Sequence, residues 1–143
     1  MILLDANILL YSYNATAPEH GGCRQWLERT VTSGEHVLLP WAVVTAFVRI
    51  GTNARVFQTP LSTGEAIKIV ESLIDQPSVS LVNPGDRHWQ ILTGLIRDSQ
   101  VRGAMIMDAH LAALALEHGA MLCTTDQDFR RFRGLKLINP LEA

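Results

Sequence analysis

Short apolar runs alternate along the chain with longer segments in which apolar residues recur every three or four positions. Five of the runs have the length of strands: 1–4, 36–39, 79–82, 121–124 and 136–138. The first run, Met-Ile-Leu-Leu, is apolar at every position, which is typical of a strand buried on both faces of a parallel sheet. Because helical patterns separate the runs, the chain is predicted to be an α/β protein with helices on both faces of a parallel sheet.

The segments between the strands carry signals for helix starts and ends. Helices are predicted over 17–33, 41–50, 62–75, 86–99 and 109–118, and a short one ends near 132. Three pairs of residues match the capping box that starts a helix: Thr16 with Glu19, Ser62 with Glu65, and, as an acidic variant, Thr125 with Asp128. Asp108 stands directly before the fifth helix, and Gly119 follows that helix at the position that glycine favours after a helix end.

Composition restricts the class of protein. The 143 residues are 48% hydrophobic and 18% charged, with 12 basic and 14 acidic side chains. These values are typical of one globular domain, which we expect to span residues 1–143. No apolar run approaches the ~20 residues that span a bilayer, and the N-terminus lacks the basic region of a signal peptide. We therefore expect a cytoplasmic protein with no membrane partner.

Cysteine and tryptophan residues are interpreted as core residues at this stage. Cys23 and Cys123 belong to no metal-binding or CxxC motif, so we expect two reduced thiols in the core. Trp41 and Trp89 have apolar neighbours, which favours burial in the core over a role in base stacking.

Four aspartates follow strands or begin helices in a way that can bring them together. Asp5 follows the first strand, Asp126 and Asp128 follow the fourth, and Asp108 opens the helix that leads to the fourth. Ligands bind at the carboxyl ends of parallel strands, so these side chains meet if the first and fourth strands are neighbours. Each aspartate alone is also explained as a helix cap or as a partner of a helix dipole. Together they form a set of hard oxygen ligands suited to Mg²⁺ or Mn²⁺, as metal-dependent phosphodiester hydrolysis requires.

Polar neighbours of these aspartates are candidates for a supporting role. Asn7 can orient Asp5 or a metal-bound water, although it equally suits a turn. The hydroxyls of Thr124 and Thr125 lie beside Asp126, where they can support the carboxylate or simply cap a helix.

Basic residues near the same aspartates are candidates for RNA phosphate contacts. The cluster after the fourth strand comprises Arg130, Arg131, Arg133 and Lys136, and Arg102 lies in the loop before Asp108. Phosphate contacts from such a patch are independent of base sequence. A run of charges like this one is also typical of a solvated helix face.

Over its whole length, the sequence resembles one family of proteins. PIN-domain ribonucleases begin with a strand that delivers an Asp, followed two residues later by Asn or Thr, and the opening here is MILLDANILLYSYN. The C-terminal half of VapC toxins of type II toxin–antitoxin systems is similar to RGAMIMDAHLAALALEHGAMLCTTDQDFRRFRGLKLINPL. The middle of one VapC subgroup is similar to LPWAVVTAFVRIGTNARVF.

This resemblance implies a fold, an activity and partners. The fold is a three-layer α/β/α PIN-like domain with a central parallel sheet of 4–5 short strands. The activity is that of an endoribonuclease dependent on Mg²⁺, with Mn²⁺ as a substitute, which hydrolyses RNA phosphodiester bonds and inhibits translation and growth. The implied partners are RNA, a cognate VapB-type antitoxin and a second copy of the chain in a homodimer, with a higher-order toxin–antitoxin complex.

The resemblance also implies roles for particular residues. The catalytic and metal-binding acids of the family fall on Asp5, Asp108 and Asp126, and Asp128 matches an acid often present beside the last of these. Arg49 matches an arginine of the family and is a further candidate for phosphate binding or for pairing with an aspartate of the site.

One position departs from the family pattern and keeps an alternative open. The family commonly has a Glu three residues before the arginine in the helix after the second strand, and Ala46 stands there in this chain. Loss of that acid removes a ligand for a second metal ion. It favours, as the alternative, a catalytically weakened PIN-like module that binds RNA or antitoxin. A phosphatase with Asp5 as nucleophile, as in the haloacid dehalogenase-like fold, is a third interpretation, but that family has a second Asp where Asn7 stands.

Overall fold

A five-stranded parallel sheet forms the centre of the computed structural model, which describes residues 1–142. The strands are β1 (Ile2–Leu4), β2 (Val37–Pro40), β3 (Val79–Val82), β4 (Met121–Cys123) and β5 (Leu137–Ile138). Their order in the sheet is β3-β2-β1-β4-β5, and every neighbouring pair is parallel. The first and fourth strands are therefore neighbours, with Leu4 paired with Cys123.

Helices cover both faces of the sheet in a three-layer α/β/α arrangement, as predicted. They are α1 (Ala6–Ser12), α2 (His20–Thr32), α3 (Trp41–Gly51), α4 (Thr63–Ile74), α5 (His88–Ser99) and α6 (Met105–His118), with a 3-10 helix at Gln127–Arg131. Helix α1 packs against α2 and α3, and α5 packs against α6. Within residues 1–142, no helix is both long enough and apolar enough to cross a bilayer.

The core explains why the first run is apolar throughout. Leu3, Leu39 and Leu122, on the three central strands, are completely buried. Sheet residues covered on both faces have no side that tolerates a polar residue. Cys23 and Cys123 are also buried and free, so the prediction for both thiols is confirmed.

Several boundaries agree with the sequence, and one cap agrees in atomic detail. The β3 bounds are as predicted, and α3 extends one residue beyond the predicted 41–50. Helix α4 begins with the predicted capping box. The Glu65 backbone N–H donates to Ser62 Oγ, and the Ser62 N–H donates to Glu65 Oε1, each at 3.0 Å.

The other two predicted capping boxes are wrong. The Thr16 hydroxyl donates to Asn14 Oδ1 instead of capping α2, which begins only at His20. The 3-10 helix is capped by Asp126 in place of Thr125, and the Asp126 carboxylate accepts from the Asp128 N–H at 2.9 Å. The short helix after β4 is a 3-10 helix rather than an α-helix.

Two further expectations about helices are corrected. Helix α1 lies where the chain was expected to turn, although a helix cap was one of the two roles considered for Asp5; the helix is short and is started by Asp5, whose Oδ1 accepts from the Ala6 N–H at 2.7 Å. Helix α6 begins at Met105 rather than after Asp108, so Asp108 lies within its first turn. Its end is as predicted, since Gly119 has a φ of 67°, which glycine adopts without strain.

The interpretation of Trp41 and Trp89 as core residues is wrong. Trp41 is 47% exposed and Trp89 is 72% exposed. The buried side of α5 runs through His88, Leu92 and Leu95, spaced four and three residues apart, and Trp89 falls outside this stripe. Apolar neighbours in sequence therefore did not indicate burial, because they share a helix with Trp89 but not a face.

Candidate functional site

The carboxylate of Asp5 lies at the carboxyl edge of the two central strands. Its backbone N–H donates to the Cys123 carbonyl at 3.0 Å, which continues the β1–β4 pairing by one residue. Its Oδ1 caps α1, and its Oδ2 accepts from the Thr124 hydroxyl at 2.7 Å. The cap role and the site role predicted for Asp5 are therefore combined in one side chain.

The Thr124 hydroxyl joins three parts of this site. Besides donating to Asp5, its oxygen accepts from Asn7 Nδ2 at 3.2 Å and from the Asp126 N–H at 3.0 Å. One donor and two acceptor positions are all that a hydroxyl has, so this one is fully used. Thr124 is only 3% exposed, which holds the arrangement away from competing water.

Asn7 and Thr125 occupy different positions relative to this hydroxyl. Asn7 contacts Thr124, and its Oδ1 is buried without a hydrogen-bond partner among residues 1–142. The side chain of Thr125 instead lies near the Tyr11 hydroxyl, whose pKa it lowers against the larger raising effect of burial. The sequence offered both threonines as supporting residues and did not distinguish them. Burial, which the sequence does not give directly, distinguishes them.

The predicted acids are close enough that their negative charges raise the pKa values of Asp5 and Asp108. Burial raises the pKa of Asp5 to about 6, and the negative charges of Asp108 and Asp126 add to this effect, while the bonds from Thr124 and Ala6 oppose it. The pKa of Asp108 is also raised, first by burial and then by the charges of Asp126 and Asp128. Asp128 itself is 65% exposed and lies 4.0 Å from an Arg131 nitrogen.

The donor set fits a divalent cation. Asp5, Asp108 and Asp126 form no ion pair with a basic residue anywhere in the part of the chain described, and the more distant charge of Arg131 only partly opposes the rise in the pKa of Asp108. Across residues 1–142, no three His, Cys, Asp or Glu side chains are grouped closely enough for a complete protein-made metal site. Mg²⁺ is commonly held by one or two carboxylates, waters and substrate phosphates, which agrees with this arrangement. The unpartnered Oδ1 of Asn7 is a further oxygen of the required type.

Ala46 faces the same site. A cavity of about 110 Å³ between α3 and α6 has Ala46 in its wall together with Asp5 and Asp108. No acidic residue besides these two aspartates lines the cavity. The departure from the family pattern therefore replaces a carboxylate position by an apolar surface directly beside Asp5.

The predicted phosphate-binding arginines are spread over several surfaces. Arg130 lines a wider cavity of about 330 Å³ together with Thr124 and Asp126, so it lies beside the carboxylates. The Arg131 guanidinium is held by the Asp128 carbonyl and by Met105 Sδ. The remaining three arginines are exposed. Arg49 lies at the end of α3, and Arg102 and Arg133 lie in loops.

A group of residues near the site was missed by sequence analysis. His88 Nε2 and His110 Nδ1 are 2.9 Å apart, and His110 lines the cavity that contains Ala46. Behind them, the Glu117 carboxylate accepts from the Gly85 and Arg87 backbone N–H groups, and both bonds lower its pKa. A Cβ at position 85 would lie 2.6 Å from Glu117 Oε2, so a larger residue there would displace the Glu117 carboxylate from its present position. The only sequence signal was the seven-residue spacing of His110 and Glu117, which puts them on one side of α6.

Removing one charge from the group should stabilise the metal-free protein. In EDTA at pH 7, Asp108→Asn is expected to raise the melting temperature by about 2–4 °C, because it relieves repulsion worth roughly 1 kcal/mol. The measurement is thermal unfolding followed by circular dichroism. Glu71→Gln, which removes an exposed charge on α4, is the matched control and should change the temperature less. A lower melting temperature for Asp108→Asn would show that the carboxylates are not crowded.

Comparison with known proteins agrees with the arrangement of the site. Residues 2–135 match the PIN domain family. Ribonuclease VapC43 of Mycobacterium tuberculosis is 39% identical over 143 residues, which is 100% of this chain and 97% of that protein. Ribonuclease VapC31 of the same species is 36% identical over 98% of this chain and 99% of its own length. The fold is similar to that in the crystal structure of VapBC2 from Rickettsia felis bound to a promoter DNA fragment, with a TM-score of 0.72 and 16% identity over 97% of this chain and 98% of that one.

Proposed function

Because the chain belongs to the PIN-domain family, and within it to the VapC ribonucleases, we propose that it is the endoribonuclease toxin of a type II toxin–antitoxin system. It hydrolyses RNA phosphodiester bonds, and it depends on a divalent metal ion. The observation that carries the proposal is that Asp5 and Asp108 share one cavity wall and that the Thr124 hydroxyl ties Asp5 to the backbone of Asp126, with no basic residue paired to these acids in the described chain.

The metal ion would be held by Asp5, Asp108 and Asp126, with Asp128 as a more exposed additional ligand. Mg²⁺ suits these oxygens, and Mn²⁺ can substitute for it. When bound, such an ion activates a water and neutralises charge on the attacked phosphate and the leaving oxygen.

The neighbouring polar residues keep the carboxylates in place. The Thr124 hydroxyl fixes the rotation of Asp5 and ties it to the backbone of Asp126. Asn7 supports that hydroxyl through its Nδ2 and keeps its Oδ1 for a metal-bound water. Thr125 contributes little to the site, because its side chain lies near Tyr11 and makes no hydrogen bond to the carboxylates in the described chain.

RNA binding is assigned to the basic residues around this edge. Arg130 is placed to contact a phosphate beside Asp126, since both line one cavity. The others would extend the contact with phosphates along the strand: Arg49, Arg102, Arg131 and Arg133. Such contacts hold RNA without selecting its sequence.

The same proposal covers the partners and setting of the protein. A cognate VapB-type antitoxin inhibits it, and the toxin forms a homodimer within a higher-order toxin–antitoxin complex. The assembly of the Rickettsia felis neighbour, a VapBC pair on promoter DNA, supports this proposal by likeness of fold. We further propose that residues 1–143 act as a single PIN domain in the cytoplasm.

A second candidate function rests on Ala46. Because it lies beside Asp5 and Asp108 and no acid replaces it, the site can be weakened enough that the chain only binds RNA or antitoxin. The phosphatase interpretation is not retained, because the chain belongs to a different family.

Cleavage of purified total RNA separates the two candidates. The protein, freed of any antitoxin, is incubated with RNA in Mg²⁺, in Mn²⁺ and in EDTA. Discrete fragments are expected with either metal and none in EDTA, and restoring Mg²⁺ after EDTA should restore them. A folded protein that yields no fragments with either metal would leave the binding module as the better description.

A further inference from the structure

Three polar side chains lie in series between the end of α6 and the cavity beside Asp5 and Asp108. They are Glu117, His88 and His110, and the chemistry proposed above uses none of them. His110 lines the cavity, and besides the two aspartates it is the only residue of the cavity wall with a polar side chain. The Glu117–His88–His110 array therefore ends in the proposed site.

Glu117 is fixed at the outer end of this array. Its two carboxylate oxygens accept from the Gly85 and Arg87 backbone N–H groups at 2.7 and 3.0 Å, which ties α6 to the loop before α5. The bond from Gly85 is the largest influence on the pKa of Glu117, which lies below its ordinary value. The carboxylate is therefore negatively charged at neutral pH and is held in one orientation.

His88, the first residue of α5, lies between this carboxylate and the second histidine. Its Nδ1 is 3.9 Å from Glu117 Oε1, and its Nε2 is 2.9 Å from His110 Nδ1. Nδ1 is buried and has no hydrogen-bond partner among residues 1–142. The negative charge of Glu117 attracts a proton on this nitrogen and repels a lone pair there. The position of Glu117 therefore favours the tautomer of His88 that carries its proton on Nδ1.

The tautomer of His88 determines that of His110. With its proton on Nδ1, a neutral His88 has only a lone pair at Nε2, so the 2.9 Å contact requires His110 to donate from its Nδ1. A neutral His110 then carries no proton on Nε2, which has no hydrogen-bond partner within residues 1–142. His88 is not part of the cavity wall, so the edge of the His110 ring away from His88 is the one that faces the cavity. That edge carries a lone pair instead of an N–H group.

We propose that Nε2 of His110 accepts a hydrogen bond from the water that attacks the phosphate, and that His88 and Glu117 hold His110 in the tautomer that this contact needs. The inference rests on the proposed function, because it places the attacking water beside Asp5 and Asp108. Such a water must direct a lone pair at phosphorus, and a fixed acceptor for one of its hydrogens sets that direction. Ala46 offers no acceptor on its side of the cavity, so His110 is the uncharged acceptor that the cavity wall provides.

Nitrogen NMR of the histidine side chains tests the tautomer without metal or cleavage. In ¹⁵N-labelled protein in EDTA at pH 8, above the ordinary pKa of histidine, His88 and His110 are both expected to carry their proton on Nδ1. In Glu117→Gln the charge is lost, and His110 should shift towards the form with its proton on Nε2. Asp86→Asn, which removes an exposed charge from the loop that Glu117 anchors, is the matched control and should cause no shift. A proton on Nε2 of His110 in the wild type would overturn the proposal.

Cleavage rates test the role of the lone pair. His110→Phe is expected to lower kcat by about 10- to 100-fold with little change in KM, which is the scale of losing a group that orients a ligand. His110→Gln should recover part of this loss, because an amide oxygen can accept the same hydrogen bond. An equal loss in both variants would show a purely structural role and would contradict the proposal. If circular dichroism shows that His110→Phe is unfolded, Glu117→Gln should lower kcat and Asp86→Asn should not.

The outcomes distinguish this inference from the proposed function. If the wild type cleaves RNA with metal and folded His110→Phe cleaves at the same rate, the inference fails and the nuclease stands. If the wild type cleaves no RNA with either metal, the nuclease is refuted, and the role of His110 in the attack is refuted with it. If the tautomer is the expected one and cleavage falls in His110→Phe and in Glu117→Gln but not in Asp86→Asn, both are supported.

Discussion

Asp5→Asn is expected to lower metal-dependent RNA cleavage by more than about 100-fold, because loss of a partner behind a metal ligand alone costs roughly 10- to 100-fold. The variant keeps the size of the side chain and one acceptor oxygen for capping α1, but it removes the charge at the centre of the carboxylate group. The measurement is the initial rate of cleavage of a single RNA in Mg²⁺. Cleavage at the wild-type rate would show that Asp5 does not hold the metal ion.

The wild type has a pH dependence of stability that Asp5→Asn should lack. In the metal-free protein the pKa of Asp5 is about 6 against an ordinary 3.8, so folding favours the uncharged acid. Its contribution to stability is therefore complete below about pH 4 and is lost as the pH rises through 6, by at most about 3 kcal/mol. Urea unfolding in EDTA at pH 5 and pH 7.5 should show roughly half of this loss in the wild type, with the excess over other titrating groups absent from Asp5→Asn. Parallel stability profiles would contradict a buried, crowded Asp5.

Much of the fold follows from apolar patterning because the central strands are covered on both faces. A run such as residues 1–4 has few alternatives to a buried strand. Which strand lies beside it was left open by the sequence, and the structure pairs it with β4. The Ser62–Glu65 box was equally predictable, since both of its hydrogen bonds are local.

The features that were missed depend on contacts between distant segments. Asp126 caps the 3-10 helix in place of Thr125, and Thr124 donates its hydroxyl to Asp5 across the β1–β4 pairing. The exposure of Trp41 is set by which side of α3 meets the sheet. The contact between His88 and His110 spans 22 residues and arises from the packing of α5 on α6. Local sequence carries no signal for any of these.

Thr124→Val is expected to lower cleavage by about 10- to 100-fold, the scale of losing a residue that orients a metal ligand. Valine keeps the shape of the side chain but leaves Asp5 Oδ2, Asn7 Nδ2 and the Asp126 N–H without this partner. Because the Thr124 bond lowers the pKa of Asp5, its removal should also raise that pKa above about 6 in the metal-free protein. Initial cleavage rates and the ¹³C chemical shift of the Asp5 carboxyl group as a function of pH measure the two effects.

Thr125→Val is the matched control for this prediction. It removes the same hydroxyl one residue later, where the side chain lies near Tyr11 and makes no hydrogen bond to the carboxylates in the described chain. Cleavage and the pKa of Asp5 should therefore both stay close to their wild-type values. If the two variants lose activity equally while the pKa of Asp5 is unchanged in Thr124→Val, the hydroxyl contributes only to packing. A loss confined to Thr124→Val, together with a raised pKa of Asp5, requires a hydroxyl that orients the carboxylate, because valine conserves every other feature of the position.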